Sequence, residues 1–229
     1  MQKPPNLALR GFWHKMISGI FIRIIRKIRV SIGRNTFLQQ HILTRHLKPK
    51  PMLIQAYKTH WVADFDAIKK ILHEALANLN ISIEHVGSTS IPQLAAKSII
   101  DIDIVFGEEV EFEQIKTRLE QIGYHHNGNQ GIHDREVFKR SKMAVPHEVL
   151  DFIPHHLYAC PIDSEELSRH ILFRDYLLAH EEARIQYQNL KYELAEEAHQ
   201  DRKKYAELKE IKARAFIHSI LDKAKVSKE

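Results

Sequence analysis

From residue 60 onward the spacing of apolar positions changes several times, and each change predicts a new element. Phe65, Ile68, Ile71, Leu72, Leu76 and Leu79 keep helical spacing as far as Asn80. A short β-branched run, Ile81–Val86, then meets Gly87-Ser88-Thr89-Ser90, and a second apolar run from Ile99 to Val105 carries Asp101 and Asp103. Phe112, Ile115, Leu119 and Ile122 mark one face of a helix over about 110–122. Gly123, Gly128 and Gly131 break the pattern, with Tyr124 opening a strand, and 136–140 and 155–160 read as two more. After Pro161 there is neither glycine nor proline, which predicts helices over about 164–179, 181–199 and 201–224. Asp163 and Glu166 stand at capping-box spacing at the start of the first. The expected fold class is α/β (α+β), a small mixed sheet flanked by helices and followed by a helical tail from about residue 163.

The first 51 residues follow a different pattern. Between Phe12 and Ile32 the apolar residues fall as doublets at 12/13, 16/17, 20/21 and 24/25, with Lys15, Arg23, Arg26, Lys27 and Arg29 on the other side. Such a basic amphipathic helix has three readings: it docks on the body of the protein, lies on an anionic membrane or on RNA through residues 12–34, or serves as a transit peptide. Its longest uncharged stretch, Met16 to Ile22, is far short of the roughly 20 residues of a membrane span. Pro49-Lys50-Pro51 marks the boundary, so 1–51 is an extension and 52–229 the domain.

Charge sharpens that division. Residues 1–63 hold twelve Lys or Arg and no acid, whereas the remainder holds 22 basic and 29 acidic residues. The overall +5 therefore describes neither part. An apolar content of 44% over 229 residues is enough for a substantial core, which excludes bulk disorder. The single Cys160 cannot form an internal disulfide and fits a reducing compartment, so the expected location is cytoplasmic, with peripheral membrane attachment through the extension as the alternative.

The candidate chemistry lies in Glu84–Phe106. Side chains alternate on a strand, so Asp101 and Asp103 project from one face about 7 Å apart. Like charges so close call for a cation between them, and oxygen ligands of this kind suit Mg²⁺, which also takes oxygens from substrate phosphates. Without that cation the pair is expected to be strained. The Gly87-Ser88-Thr89 turn offers backbone N–H groups as a phosphate cradle. Glu84 and His85 precede it on opposite faces, so one can join the site while the other packs or pairs.

A strand, a Gly-Ser turn, a short helix and a strand with Asp-x-Asp resemble the signature of the nucleotidyltransferase superfamily. The stretch EHVGSTSIPQLAAKSIIDI is similar to the GrpB (glutamate-rich protein B) family, whose usual text is close to EHVGSTAVPGLAAKPIIDI; Gln93 and Ser98 replace its glycine and proline. Phe138-Lys139-Arg140, His155-His156-Leu157-Tyr158 and Phe173-Arg174-Asp175 also resemble family phrases, and the resemblance covers roughly 53–224.

The resemblance implies nucleotidyl transfer from an NTP to an unknown acceptor. Asp101 and Asp103 would hold Mg²⁺, and Gly87, Ser88, Thr89, Lys97, Arg140 and Lys209 would hold the nucleotide. Such sites usually take a third carboxylate from a neighbouring strand; Asp151 has the apolar-acid-apolar form, and His156 is a further candidate. His155 and His156 are adjacent and point to opposite faces, so at most one serves the site. Arg174-Asp175 reads as an ion pair organising the tail. The alternatives are a non-catalytic nucleotide- or coenzyme-binding module, and a membrane or RNA anchor acting through the extension.

Overall fold

The computed structural model describes residues 52–226; the predicted helix over Phe12–Ile32, with its proposed membrane and RNA contacts, lies outside the described residues. In chain order the elements are α1 (His60–Ala75), β1 (Ile81–Val86), a 3-10 turn (Ser88–Ser90), β2 (Ile100–Phe106), α2 (Phe112–Gln121), β3 (Tyr124–His126), β4 (Glu136–Arg140), α3 (Glu148–Phe152), β5 (His155–Pro161), α4 (Glu165–Ala179), α5 (Glu181–Glu197), α6 (Arg202–Lys212) and α7 (Arg214–Val226). Among the described residues no helix is long and apolar enough to cross a membrane.

The strands form one mixed sheet in the order β1-β2-β5-β4-β3. β1 runs antiparallel to β2, β2 parallel to β5, and β4 antiparallel to both β5 and β3. One face buries Ile83, Ile102, Ile104 and Leu157 against Trp61, Phe65, Ile68 and Leu72 of α1 and Ile115 and Leu119 of α2. On the other face Val105 and Cys160 meet Leu167 of α4. A separate core joins the Ile91–Ala95 stretch to the helical tail through Leu177, Tyr187, Leu194, Tyr205 and Ile220. The site lies where these two bodies of packing meet.

Several elements depart from the sequence expectation for identifiable reasons. The helix expected between β1 and β2 is a single 3-10 turn followed by irregular chain. There Gln93 adopts φ +66°, the left-handed region in which a glycine is free of Cβ strain, and its side chain accepts from Arg184 at 3.2 Å. Ser98 also has a role of its own, accepting from the Trp61 indole N–H at 3.0 Å. The cap of α4 is Ser164 rather than Asp163: its hydroxyl oxygen accepts from Leu167 N at 3.3 Å while it donates to the Asp134 carbonyl at 3.0 Å. His180, with φ −121° and ψ 96°, separates α4 from α5 without a proline. The last predicted helix is two, broken at buried Ala213, which lets Leu221 and Ala224 of α7 turn back onto Leu172 of α4. α3 carries no periodic signal and is held by its cap, His147 Nδ1 accepting from Val149 and Leu150.

Candidate active site

The register places Val86 opposite Asp101 and Glu84 opposite Asp103 on one side of β2, and His156 and Tyr158 opposite the same two aspartates on the other. Because paired residues share a face, the five polar side chains rise from one surface of the sheet. Neighbouring β5 thus offers an imidazole and a phenol where a third carboxylate was expected. Asp151 is elsewhere: it bonds Arg140 Nε at 2.7 Å and accepts from His147 N at 2.7 Å, and these bonds hold its carboxyl below the usual range. Arg140 is committed to that pair and to the Ile122 and Val145 carbonyls, so neither residue reaches the cleft beside Gly87.

Each aspartate has a histidine partner. His156 Nδ1 lies 2.8 Å from Asp101 Oδ1, and both side chains are partly open to solvent. Asp103 is fully buried, with Oδ2 accepting from His170 Nδ1 at 2.7 Å, while His170 Nε2 faces Glu166 Oε1 at 3.3 Å. Burial alone would push the His170 imidazole down, but its bonds to Asp103 and Glu166 outweigh burial and hold it up at about 9. An imidazolium therefore sits between two carboxylates. This corrects the expectation of a strained acidic pair: Asp103 has a counter-charge from α4. Its Oδ1 is nevertheless buried with no hydrogen-bond partner, an open acceptor of the kind a hard cation would satisfy.

The turn beside Asp101 is built tightly. Gly87 has φ +71°, and a Cβ there would lie 2.3 Å from Asp101 Oδ2, so backbone approaches carboxylate as only glycine permits. Ser90 donates to the Gly87 carbonyl at 2.6 Å. Thr89 is buried and donates to the Ile99 carbonyl at 3.2 Å, leaving its oxygen 3.0 Å from His85 Nε2. His85 stacks on Phe65, and burial lowers it to about 4, so Thr89 and His85 are supports of the turn. Glu84 takes the other course and accepts from Arg174 at 2.8 Å, with Asp175 on the same guanidinium at 2.9 Å. The Arg174-Asp175 pair thereby ties α4 to β1.

Across the cleft stands a group of lysines. Lys191 of α5 is only 2% exposed; its ammonium donates to Ser88 Oγ at 3.1 Å and to the Ala95 carbonyl, and lies 4.8 Å from the Tyr187 ring centroid. Burial, and then Lys209, lower it well below the ordinary lysine value. Lys97 sits 4.4 Å from the Tyr205 ring centroid and is lowered to about 8 by burial and then by Lys209 and Arg202. Tyr187 holds Lys209 above its ordinary value. Among the described residues none of these three lysines has a carboxylate partner. They line, with Gly87, Ser88, Asp101 and His156, a cavity of about 410 Å³, within the usual range for small-molecule sites. The structure thus gathers Gly87, Ser88, Thr89, Lys97, Asp101, His156 and Lys209, and adds Lys191, Glu166 and His170, which sequence reasoning had not selected. For Lys191 a signal existed: it falls on the Ala183, Tyr187, Leu194 stripe of α5, a charge at an apolar position.

Comparison with known proteins gives the lineage. The UPF0157 protein YqkA of Bacillus subtilis is 36% identical over 151 residues, 66% of this chain but 42% of that protein, so this chain spans under half of that relative. Glutamate-rich protein GrpB of Alkalihalophilus pseudofirmus is 28% identical over 172 residues, 75% of this chain and 94% of that protein. The crystal structure of the conserved protein GrpB from Enterococcus faecalis superposes with a TM-score of 0.62 at 30% identity, over 77% of this chain and 99% of that one. A Cid1 structure in complex with its short product ApU gives 0.45 at 12% identity over 62% of this chain and 43% of that one, too remote to bear on function. The sequence profile described as GrpB protein matches residues 51–223, and the chain belongs to the GrpB family.

Proposed function

We propose that this protein is a Mg²⁺-dependent nucleotidyltransferase that moves a nucleotidyl group from an NTP to an acceptor hydroxyl. The observation that carries this reading is the cleft's opposed chemistry: Asp101 and the unpartnered Asp103 Oδ1 on the sheet, and Lys97, Lys191 and Lys209 opposite, none in contact with a carboxylate among the described residues. A phosphate chain bearing a divalent cation satisfies both sides. Lysines with no carboxylate in contact suit phosphate, and a buried carboxylate oxygen with no hydrogen-bond donor suits a metal ion.

Asp101 and Asp103 would hold the ion, which supplies charge neutralisation and orientation of the phosphates. The Gly87-Ser88 backbone, Lys97, Lys191 and Lys209 bind and align the β- and γ-phosphates. Tyr187 and Tyr205 wall the cavity against water. Arg174 fixes β1 to α4, so the two sides keep their spacing.

The test is titration of a fluorescent NTP with and without Mg²⁺ on the full chain and on Asp101→Asn. The wild type should bind with Mg²⁺, and Asp101→Asn should lose the Mg²⁺-dependent part while keeping its melting temperature, since Asp101 is partly exposed. Equal affinity with and without Mg²⁺, or in both proteins, would sink the proposal. A second reading, a nucleotide-binding module without turnover, is favoured by the imidazole and phenol that β5 presents in place of a carboxylate. Binding without pyrophosphate release in the presence of acceptor would favour it.

A further inference from the structure

Beyond the nucleotide cleft, on the β5 side of Asp101, lies a second cavity of about 610 Å³ that shares His156 and Tyr158 with the first. We infer that it is the acceptor site, and that the acceptor is a small alcohol carrying a phosphate; this rests on the nucleotidyl-transfer reading.

Direction comes first. In-line displacement at the α-phosphorus requires the entering oxygen to approach opposite the departing pyrophosphate. The phosphate cradle, Gly87-Ser88 with Lys191, is on the β1 side of Asp101, so the entering hydroxyl must come across β5. There the sheet opens. The β4–β5 pairing ends at Phe138 opposite Leu157, and beyond it Lys139, on the face of β4 that Val137 shares with Tyr158, lines the second cavity together with His156, while His125 of β3 pairs with Lys139. The acceptor oxygen bonds to the α-phosphorus, the bond from that phosphorus to the bridging oxygen breaks, pyrophosphate leaves with the bonding electrons, and the hydroxyl proton passes to water.

Charge and size then give the class of acceptor. The cavity is lined by Lys139, Arg140 and Lys142 against one acid, Asp151. Arg140 is neutralised by that acid at 2.7 Å. Lys139 and Lys142 are exposed, and neither has a carboxylate partner among the described residues. A neutral alcohol would leave both charges unused beside a site already crowded with phosphate, whereas a phosphate monoester pairs with them. The volume suits a small molecule, typical sites being about 300–1,000 Å³.

The test uses ribose 5-phosphate as a probe, titrated by calorimetry into the full chain without nucleotide, with ribose and a short oligouridylate for comparison. The double variant Lys139→Glu with Lys142→Glu is measured alongside. Ribose 5-phosphate should bind the wild type, ribose should not, and the double variant should bind ribose 5-phosphate weaker by roughly tenfold or more. Its affinity for the fluorescent NTP should be unchanged. Equal binding by wild type and variant overturns the inference, as does displacement of the NTP by ribose 5-phosphate, which would place the probe in the nucleotide cradle. Binding of the oligouridylate alone overturns it in favour of a nucleic-acid acceptor. A wild type that takes up ribose 5-phosphate but no NTP overturns the transfer reading separately.

Discussion

Lys191 shows at the scale of one residue how stability and function compete. Its neighbours on the buried face of α5 are Ala183, Tyr187, Leu194 and Ala195, and an ammonium among them forgoes hydration without a carboxylate in return. Among the described residues, Ser88 Oγ and the Ala95 carbonyl receive it as hydrogen-bond acceptors. Lys191→Met keeps the shape and removes the charge, so the melting temperature should rise by a few degrees, corresponding to about 1–2 kcal/mol. Mg²⁺-dependent NTP affinity should fall by roughly tenfold or more. Thermal unfolding and nucleotide titration on one preparation check both; a lower melting temperature with unchanged affinity would make Lys191 a structural tie between α5 and the turn.

At the scale of elements, α4 is fastened to the sheet by charge as well as by the packing of Leu167 on Val105 and Cys160. His170 bridges Asp103 of β2 and Glu166 of its own helix, and Arg174 bridges Glu84 of β1 and Asp175. Below pH of about 6.5 His170 is protonated in both folded and unfolded chains. Between that value and about 9 only the folded chain keeps the proton, so the clamp's stabilisation is full at the lower pH and is lost as pH rises through about 9. The corresponding free energy is ~3 kcal/mol. His85 acts in the other direction: held at about 4, it favours the unfolded chain as pH falls below about 6.5. In urea unfolding of the metal-free proteins, His170→Gln should therefore be destabilised near neutrality and its deficit against the wild type should shrink between about pH 6.5 and 9, a difference that leaves out Lys97 and Lys191, whose lowered values act in the opposite sense in both proteins. An unchanged alkaline slope in His170→Gln would refute the clamp.

The whole chain combines a body over residues 52–229 of net charge −6 with an extension over residues 1–51 of net charge +11. We propose that the two act separately. Full-length protein should co-sediment with anionic vesicles or RNA, the binding weakening steeply with salt as counterions are released, while a chain starting at residue 52 should bind neither and retain its Mg²⁺–NTP affinity. Aggregation of the truncated chain would instead mean that the apolar side of Phe12–Ile32 covers a hydrophobic surface.

What the sequence determined by itself was most of the strand and helix placement that depends on neighbours along the chain. β1 has the predicted limits, β2 and α2 lie within a residue or two of theirs, and the shared face of Asp101 and Asp103 follows from strand alternation alone. The glycine at position 87 also announced a place where backbone meets another group. Pairing across distance was beyond it. Asp151 has the local form of a third ligand but is held by Arg140, because β4 and α3 meet there. His170 and Lys191 lie 67 and 103 residues from the groups they contact, and helical spacing gives only which side of a helix they occupy. Which carboxylate gains a counter-charge, and which lysine is left without one, was decided by α4 and α5 closing over the sheet, since electrostatic environment depends on distance in space and on exclusion of water.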